Sequence, residues 1–144
     1  VSGVVYCGSR DTFLYAFRAD TGKRLRRTHV GGAVFSSPQV AGGVIYVGVI
    51  ATGSATAVNS TSDTTQPQGV LLAINANTGV QLWQRAIGNY QGTPLAVFQA
   101  VLYVGAADGS VYALNASNGS SIWSHQGTSG IVLPFDNAPI TVAP

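Results

Sequence analysis

The sequence predicts an all-β chain made of about three copies of a four-stranded antiparallel unit. Three observations lead there. Short runs rich in β-branched and aromatic residues, too short for helices, are interrupted by glycine every few residues. The composition lacks helix formers: Glu and Met are absent, Gly numbers 18, and charged residues are only 8% of the chain, against about a quarter in an average soluble domain. Above all, the sequence repeats itself, and a period near 40 residues built from four short strands reads as one blade of a β-propeller.

The first strand of the repeat is Gly3-Val4-Val5-Tyr6-Cys7-Gly8, which recurs as Gly43-Val44-Ile45-Tyr46-Val47-Gly48 and as Ala100-Val101-Leu102-Tyr103-Val104-Gly105. A second strand follows, Leu14-Tyr15-Ala16-Phe17, Leu71-Leu72-Ala73-Ile74 and Val111-Tyr112-Ala113-Leu114, in which a small alanine lets neighbouring sheets approach face to face. Next comes a turn, Ala19-Asp20-Thr21-Gly22, Ala76-Asn77-Thr78-Gly79 and Ala116-Ser117-Asn118-Gly119. Asp20, Asn77 or Ser117 is expected to bond back to the backbone there, and the glycine two residues on to accept a positive φ. A third strand ends in Leu25-Arg26, Leu82-Trp83 and Ile122-Trp123. A fourth opens near Pro38, Pro94 and, less regularly, Pro139. The spacing predicts strands over 4–7, 13–18, 23–28, 34–40, 44–49, 70–75, 80–86, 93–98, 101–105, 111–115, 120–124 and 139–142. One domain of three repeats, about 3–42, 43–99 and 100–142, is expected.

Gly-x-x-Tyr-x-Gly, then Leu-Tyr-Ala, then the Thr-Gly turn and a Trp resembles the pyrroloquinoline-quinone (PQQ) repeat of quinoprotein dehydrogenases and their non-enzymatic relatives, over residues 3–127 and loosely to 142. The resemblance implies a propeller in which the Trp after the Thr-Gly turn packs between blades. Carried over, it makes Trp83 and Trp123, with Gly22, Gly79 and Gly119, blade-docking residues, both indoles largely buried. Arg26 stands where the first repeat would have its Trp, its head group reaching solvent or a carboxylate.

The residues that quinoprotein catalysis would need are sparse. The chain has one cysteine, no Glu and five aspartates. Asp11 and Asp108 fall in equivalent short turns and Asp20 in the hairpin turn, which leaves Asp63 and Asp136 in loops. His29 and His125 hold equivalent places after the third strands and read as structural. No nucleophile triad, phosphate-cradling glycine loop or zinc pattern is present. Cys7, inside an apolar strand, reads as a buried inert thiol. These residues assign no catalytic group, no metal and no cofactor.

The insertion Val49 to Gly69 breaks the period by 17 residues. It carries Asn59, Asp63, Gln66 and Gln68, and reads either as a recognition loop or as a solvated excursion. Residues 131–136 lengthen a later loop, which the resemblance places near the same face as the insertion. Six of the seven basic residues lie between Arg10 and Arg27, an anion-binding block or a solvated edge. The net charge of +2 does not point to nucleic acid, and no apolar run is long enough to span a membrane as a helix.

The reading is a non-enzymatic binding or scaffold module that presents loops to a protein or carbohydrate partner, in an extracellular, periplasmic or cell-surface setting. Two alternatives stand beside it: a fragment of a PQQ-dependent alcohol or sugar dehydrogenase, and a structural self-assembling unit. Starting at Val1 on the threshold of a strand, the chain reads as a piece of a longer protein. Another copy, or the remainder of that protein, is expected to cover its open strand edges.

Overall fold

The computed structural model describes residues 3–50, 69–87, 95–106 and 110–125, and among these there are strands and turns but no helix. The strands are β1 (Val4–Gly8), β2 (Phe13–Arg18), β3 (Arg24–His29), β4 (Ala33–Val34), β5 (Gln39–Ala41), β6 (Val44–Ile50), β7 (Gly69–Asn75), β8 (Gln81–Ile87), β9 (Leu95–Phe98), β10 (Val101–Gly105), β11 (Val111–Asn115) and β12 (Ser121–His125). They form three antiparallel sheets. Blade 1 is β1-β2-β3, blade 2 is β4-β6-β7-β8 with β5 also on β6, and blade 3 is β9-β10-β11-β12.

The repeats fold alike down to single hydrogen bonds. Arg18, Asn75 and Asn115 each accept the amide N–H of Gly22, Gly79 and Gly119, closing the same hairpin. Those glycines sit at φ 70°, 75° and 77°, the left-handed region glycine enters without steric cost. The ladder shifts register at Ala16/Phe17, Ala73/Ile74 and Ala113/Leu114, one equivalent bulge in each blade. The side chain that closes the turn is not the expected one. Asn75 Oδ1 accepts the N–H groups of Asn77 and Thr78, and Asn115 Oδ1 accepts that of Ser117. The Asx cap therefore starts two residues before Asn77 or Ser117. Blade 1 has Arg18 there, which can only donate, so Asp20 pairs with its guanidinium at 2.8 Å instead.

The expected strand over 34–40 is two short pieces. β4 pairs with the far end of β6 (Ala33↔Ile50, Val34↔Val49) and β5 with its near end (Gln39↔Tyr46, Val40↔Ile45, Ala41↔Val44). Between them lies Pro38, which has no N–H for a ladder bond, and the break leaves Phe35 exposed. The expected strand at 139–142 lies outside the described residues.

Side-chain alternation then builds two apolar layers between blades. Leu14 and Val30 meet Val34, Ile45, Val47, Val49, Leu72 and Ile74 between blades 1 and 2. Tyr46, Leu71, Ala73 and Ile87 meet Leu95, Leu102, Val104 and Leu114 between blades 2 and 3. At roughly 1.5–3 kcal/mol for each large aliphatic chain buried, these layers supply most of the cohesion. The sheets approach so closely that a Cβ on Gly8 would stand 2.1 Å from Val34 Cγ1. Cys7 departs from expectation. It is exposed, because it lies on the face of β1 turned away from blade 2.

The hairpins β5–β6 and β9–β10 both turn through two residues of positive φ, Gly42-Gly43 at 57° and 78° and Gln99-Ala100 at 49° and 63°. Such turns strain side-chain-bearing residues. Ala100→Gly should therefore raise stability by about 0.5–1 kcal/mol, measured as the urea midpoint, with the slope of the transition unchanged.

Candidate functional site

Each blade sets a Tyr, an Ala and a larger side chain directly opposite one another across three strands. These are Tyr6↔Ala16↔Arg26, Tyr46↔Ala73↔Trp83 and Tyr103↔Ala113↔Trp123. The alanine leaves room on the sheet face for the two side chains that flank it. In blade 2 the Tyr46 and Trp83 rings lie 6.2 Å apart, and both reach one atom of blade 3. Trp83 Nε1 donates to Ala116 O at 2.9 Å and Tyr46 Oη donates to the same oxygen at 3.3 Å. The indole lies against Gly119, where a Cβ would come within 2.7 Å of the ring. Arg85 adds a bond to Gly119 O at 3.0 Å. Burial raises the Tyr46 phenol above its ordinary value, which keeps it a donor.

Blade 1 reaches blade 2 by the same route with different chemistry. Tyr6 Oη donates to Ala76 O at 3.4 Å, and the Arg26 guanidinium donates to Ala76 O at 3.1 Å and to Asn77 O. Its head group thus meets backbone carbonyls rather than the solvent or carboxylate expected. The thinner side chain leaves a void of about 10 Å³ bounded by Tyr6, Ile45, Ile74 and Gly79, at the lower limit for a single water. Trp123 also departs from expectation. It is 47% exposed, since no described residue of another blade lies beyond it. Gly22, unlike Gly79 and Gly119, has nothing within 4 Å of where a Cβ would be.

A second feature lies at the opposite end of the blades from these hairpins. Because successive strands alternate in direction, the β1–β2 and β3–β4 turns fall at the end where β6 runs into the long insertion. Val34 N–H donates to Ser9 O and Val30 N–H to Thr12 O, which ties the two turns together. The Arg10 guanidinium lies 4.8 Å over the ring of exposed Phe35. Pairing of Ala33 with Ile50 puts this corner at the root of the insertion. Asp11 accepts from Phe13 N–H and from Tyr15 Oη. The phenol lowers the Asp11 carboxyl below its usual range, and the carboxylate raises Tyr15. Thr12, β-branched, sits at φ 76°, a strained conformation of the sort that collects at functional sites. Neither Arg10 nor Phe35 stood out in the sequence. Only the break between β4 and β5 exposes the ring.

The candidate loop residues Asn59, Asp63, Gln66 and Gln68, with Asp108 and Asp136, lie outside the described residues. Of the remaining acidic groups, Asp11 is engaged by Tyr15 and Asp20 by Arg18, and no three of His, Cys, Asp or Glu come together among the described residues. The described residues therefore do not fit a calcium-bound quinone. His29 packs edge-on to Phe13 at 5.3 Å, and His125 is exposed on β12.

A family model described as outer membrane protein assembly factor BamB matches residues 1–66 and 48–142. Among curated proteins the chain is 31% identical to tetrathionate hydrolase of Acidithiobacillus ferrooxidans over 134 residues, covering 85% of this chain. It is also 31% identical to outer membrane protein assembly factor BamB of Shewanella oneidensis over 124 residues, covering 83%. It spans 27% of the length of each. The fold is similar to that of BamB from Moraxella catarrhalis (TM-score 0.69, 14% identity, 89% of this chain and 34% of that one). It is also similar to a quinohemoprotein alcohol dehydrogenase from Pseudomonas putida (TM-score 0.64, 21% identity, 90% and 26%).

The geometry separates the two tryptophans energetically. Trp83→Ala should destabilise by about 3 kcal/mol, as large-to-small changes at packed positions do, whereas Trp123→Ala should stay within about 0.5 kcal/mol in dilute solution, as exposed sites do. Urea titrations of both variants at low protein concentration check this, and equal losses would contradict it. Tyr46 and Tyr15 both have raised folded-state values. Their contribution is complete below the unfolded phenol value of about 10 and is lost as pH rises through the folded one. Stability measured against pH should fall between those two values, and less steeply in Tyr46→Phe.

Proposed function

We propose a non-enzymatic, protein-binding scaffold role for this chain, which belongs to the outer membrane protein assembly factor BamB family of PQQ-type propeller repeats. The observation that carries the reading is the corner at the root of the insertion, an exposed Phe35 held under the Arg10 guanidinium on a rigid turn. Aromatic and Arg side chains are the types that anchor protein interfaces. The backbone beneath them is fixed by sheet pairing and by the Val34–Ser9 bond, so little entropy is lost on binding. The insertion carrying Asn59, Asp63, Gln66 and Gln68 springs from the same place and would widen the contact. The name of the Shewanella oneidensis relative, an outer membrane protein assembly factor, supports a protein partner and an address outside the cytoplasm.

A photo-crosslinking residue at Phe35, compared with one at Asn77 on the hairpin end, tests the reading in cells that make the protein. Adducts to protein at Phe35, lost in Arg10→Ala and absent from Asn77, are expected. Equal labelling at both ends would refute it. So would purified protein that retains the quinone's absorbance after exposure to PQQ and calcium.

A further inference from the structure

We infer that the outer strand of blade 1, at its hairpin end, is a docking surface for an anionic lipid bilayer. Lys23, Arg24 and Arg27 meet headgroup phosphates there, and Leu25 enters the boundary between headgroups and acyl chains. The inference does not rest on the loop corner, which lies at the other end of the blades.

This surface belongs to the rim of the stack, not to a sheet face that a further blade would cover. β3, β8 and β12 each end their sheet, paired on one side only. Blade 2 has a described neighbour packed on both of its faces, and still Gln81, Leu82 and Gln84 on β8 are exposed. Arg24, Leu25 and Arg27 hold the same three places on β3. The alternation of exposed and half-buried residues over Arg24–His29 repeats that of the first six residues of β8. Exposure here is therefore a property of the outer strand. The bulges explain which side chain stands out. The ladder passes from Ala16↔Arg26 to Phe17↔Arg24, from Ala73↔Trp83 to Ile74↔Gln81 and from Ala113↔Trp123 to Leu114↔Ser121. The residue left over in each blade is Leu25, Leu82 or Ile122, and these are 50%, 50% and 53% exposed.

Charge is what sets blade 1 apart. At the places of Lys23, Arg24 and Arg27, blade 2 has Val80, Gln81 and Gln84, and blade 3 has Ser120, Ser121 and Ser124. The fold thus makes no demand for cations there. Arg18 is neutralised by Asp20 at 2.8 Å, and Arg26 is turned inward onto Ala76 O. Lys23, Arg24 and Arg27 are exposed, and among the described residues no carboxylate pairs with them. Arg27 rests over the Phe13 ring, a contact that leaves its charge in place. Protein interfaces are anchored by aromatic side chains and are poor in lysine at their cores, whereas this strand offers cations around a single protruding aliphatic chain. That combination suits a bilayer. Lys and Arg are drawn to an anionic leaflet, and a guanidinium matches phosphate oxygens two at a time. The apolar stems of both lie along the interface, and a leucine gains by burying its side chain just below it.

The experiment is cosedimentation of the 144-residue chain with vesicles of phosphatidylcholine mixed with phosphatidylglycerol, and with vesicles of phosphatidylcholine alone. The chain should partition onto the mixed vesicles and not onto the neutral ones, and added salt should release it. Lys23→Gln and Arg24→Gln should each weaken partitioning about fivefold, and the double variant by the product of the two. An environment-sensitive fluorophore on Leu25→Cys, in a Cys7→Ser background, should shift to the blue on mixed vesicles. The same label on Ser37→Cys, between β4 and β5, should not. Unfolding curves for each variant show that it is folded. A chain that ignores the mixed vesicles, or binds neutral ones equally, overturns the inference. So does partitioning that the double variant retains, or a label at position 25 that stays in water. Tighter binding to soluble poly-glutamate than to mixed vesicles of equal charge overturns it in favour of an acidic protein.

Discussion

One backbone carbonyl per joint, that of Ala76 or Ala116, is the atom around which the stacked sheets are arranged. The hairpin that contains it uses its other polar groups internally, through Ala76 N–H to Gly43 O and Gly79 N–H to Asn75 O. That leaves the carbonyl facing the adjoining blade in an apolar layer, where an unmet acceptor would cost about 1–3 kcal/mol. Tyr and Trp each bring a large apolar ring and a single donor, so one pair of residues satisfies the oxygen and fills the space around it. The small Ala73 between Tyr46 and Trp83 follows from that demand: two rings cannot flank a third bulky side chain on one sheet face. The absence of a side chain at Gly119 follows as well, since the indole lies where a Cβ would be.

Arg26 shows how much of this arrangement is hydrogen bonding and how much is filling. The guanidinium reproduces the bond to Ala76 O and adds one to Asn77 O, so the acceptors are fully met. What it lacks is the breadth of an indole, and the void between Tyr6, Ile45, Ile74 and Gly79 is the result. Its neighbours on β3 explain why a cation is tolerated. Arg24 and Arg27 are exposed on a strand with no further strand beyond it among the described residues, and Arg27 rests over the Phe13 ring. Charge along an edge strand discourages unwanted pairing. Three members of the basic block, Arg24, Arg26 and Arg27, thus lie on an edge strand, with Arg26 turned inward to dock.

Most of the architecture was legible because its signals are local and repeated. The Tyr-containing strand, the Ala-containing strand and the Thr-Gly turn each fall where self-similarity puts them, as does the family. What the sequence concealed depends on what lies across a gap. Trp83 and Trp123 are the same residue in the same motif, yet one is bonded to Ala116 O and the other is 47% exposed, since burial depends on a neighbour that local pattern cannot supply. Cys7 read as buried for the same reason. The Asx cap was misplaced by two residues because Asp20, Asn77 and Ser117 look like turn formers in isolation, while Asn75 and Asn115 look like strand ends. Arg10 and Phe35 were invisible because their pairing brings the β1–β2 turn against the end of β4, far apart in sequence. Asn59, Asp63, Gln66 and Gln68 lie outside the described residues, so the insertion's role rests on its root.

The joints also set how stability is distributed. Blade 2 buries both faces, against Leu14 and Val30 on one side and Leu95, Leu102 and Leu114 on the other. Among the described residues, blades 1 and 3 each bury one. In a linear stack of this kind, stability is close to a sum of blade terms and nearest-neighbour terms, so the middle blade is held twice and each outer blade once. The two joints are not equal either. The one between blades 2 and 3 has an indole and a second guanidinium, whereas the one between blades 1 and 2 has a guanidinium over a void. Blade 1, with three strands, an Arg at the joint and exposed Val5 and Cys7 on its far face, is therefore held least firmly by contacts among the described residues. It also carries Arg10, whose guanidinium lies over Phe35 at the end of β4.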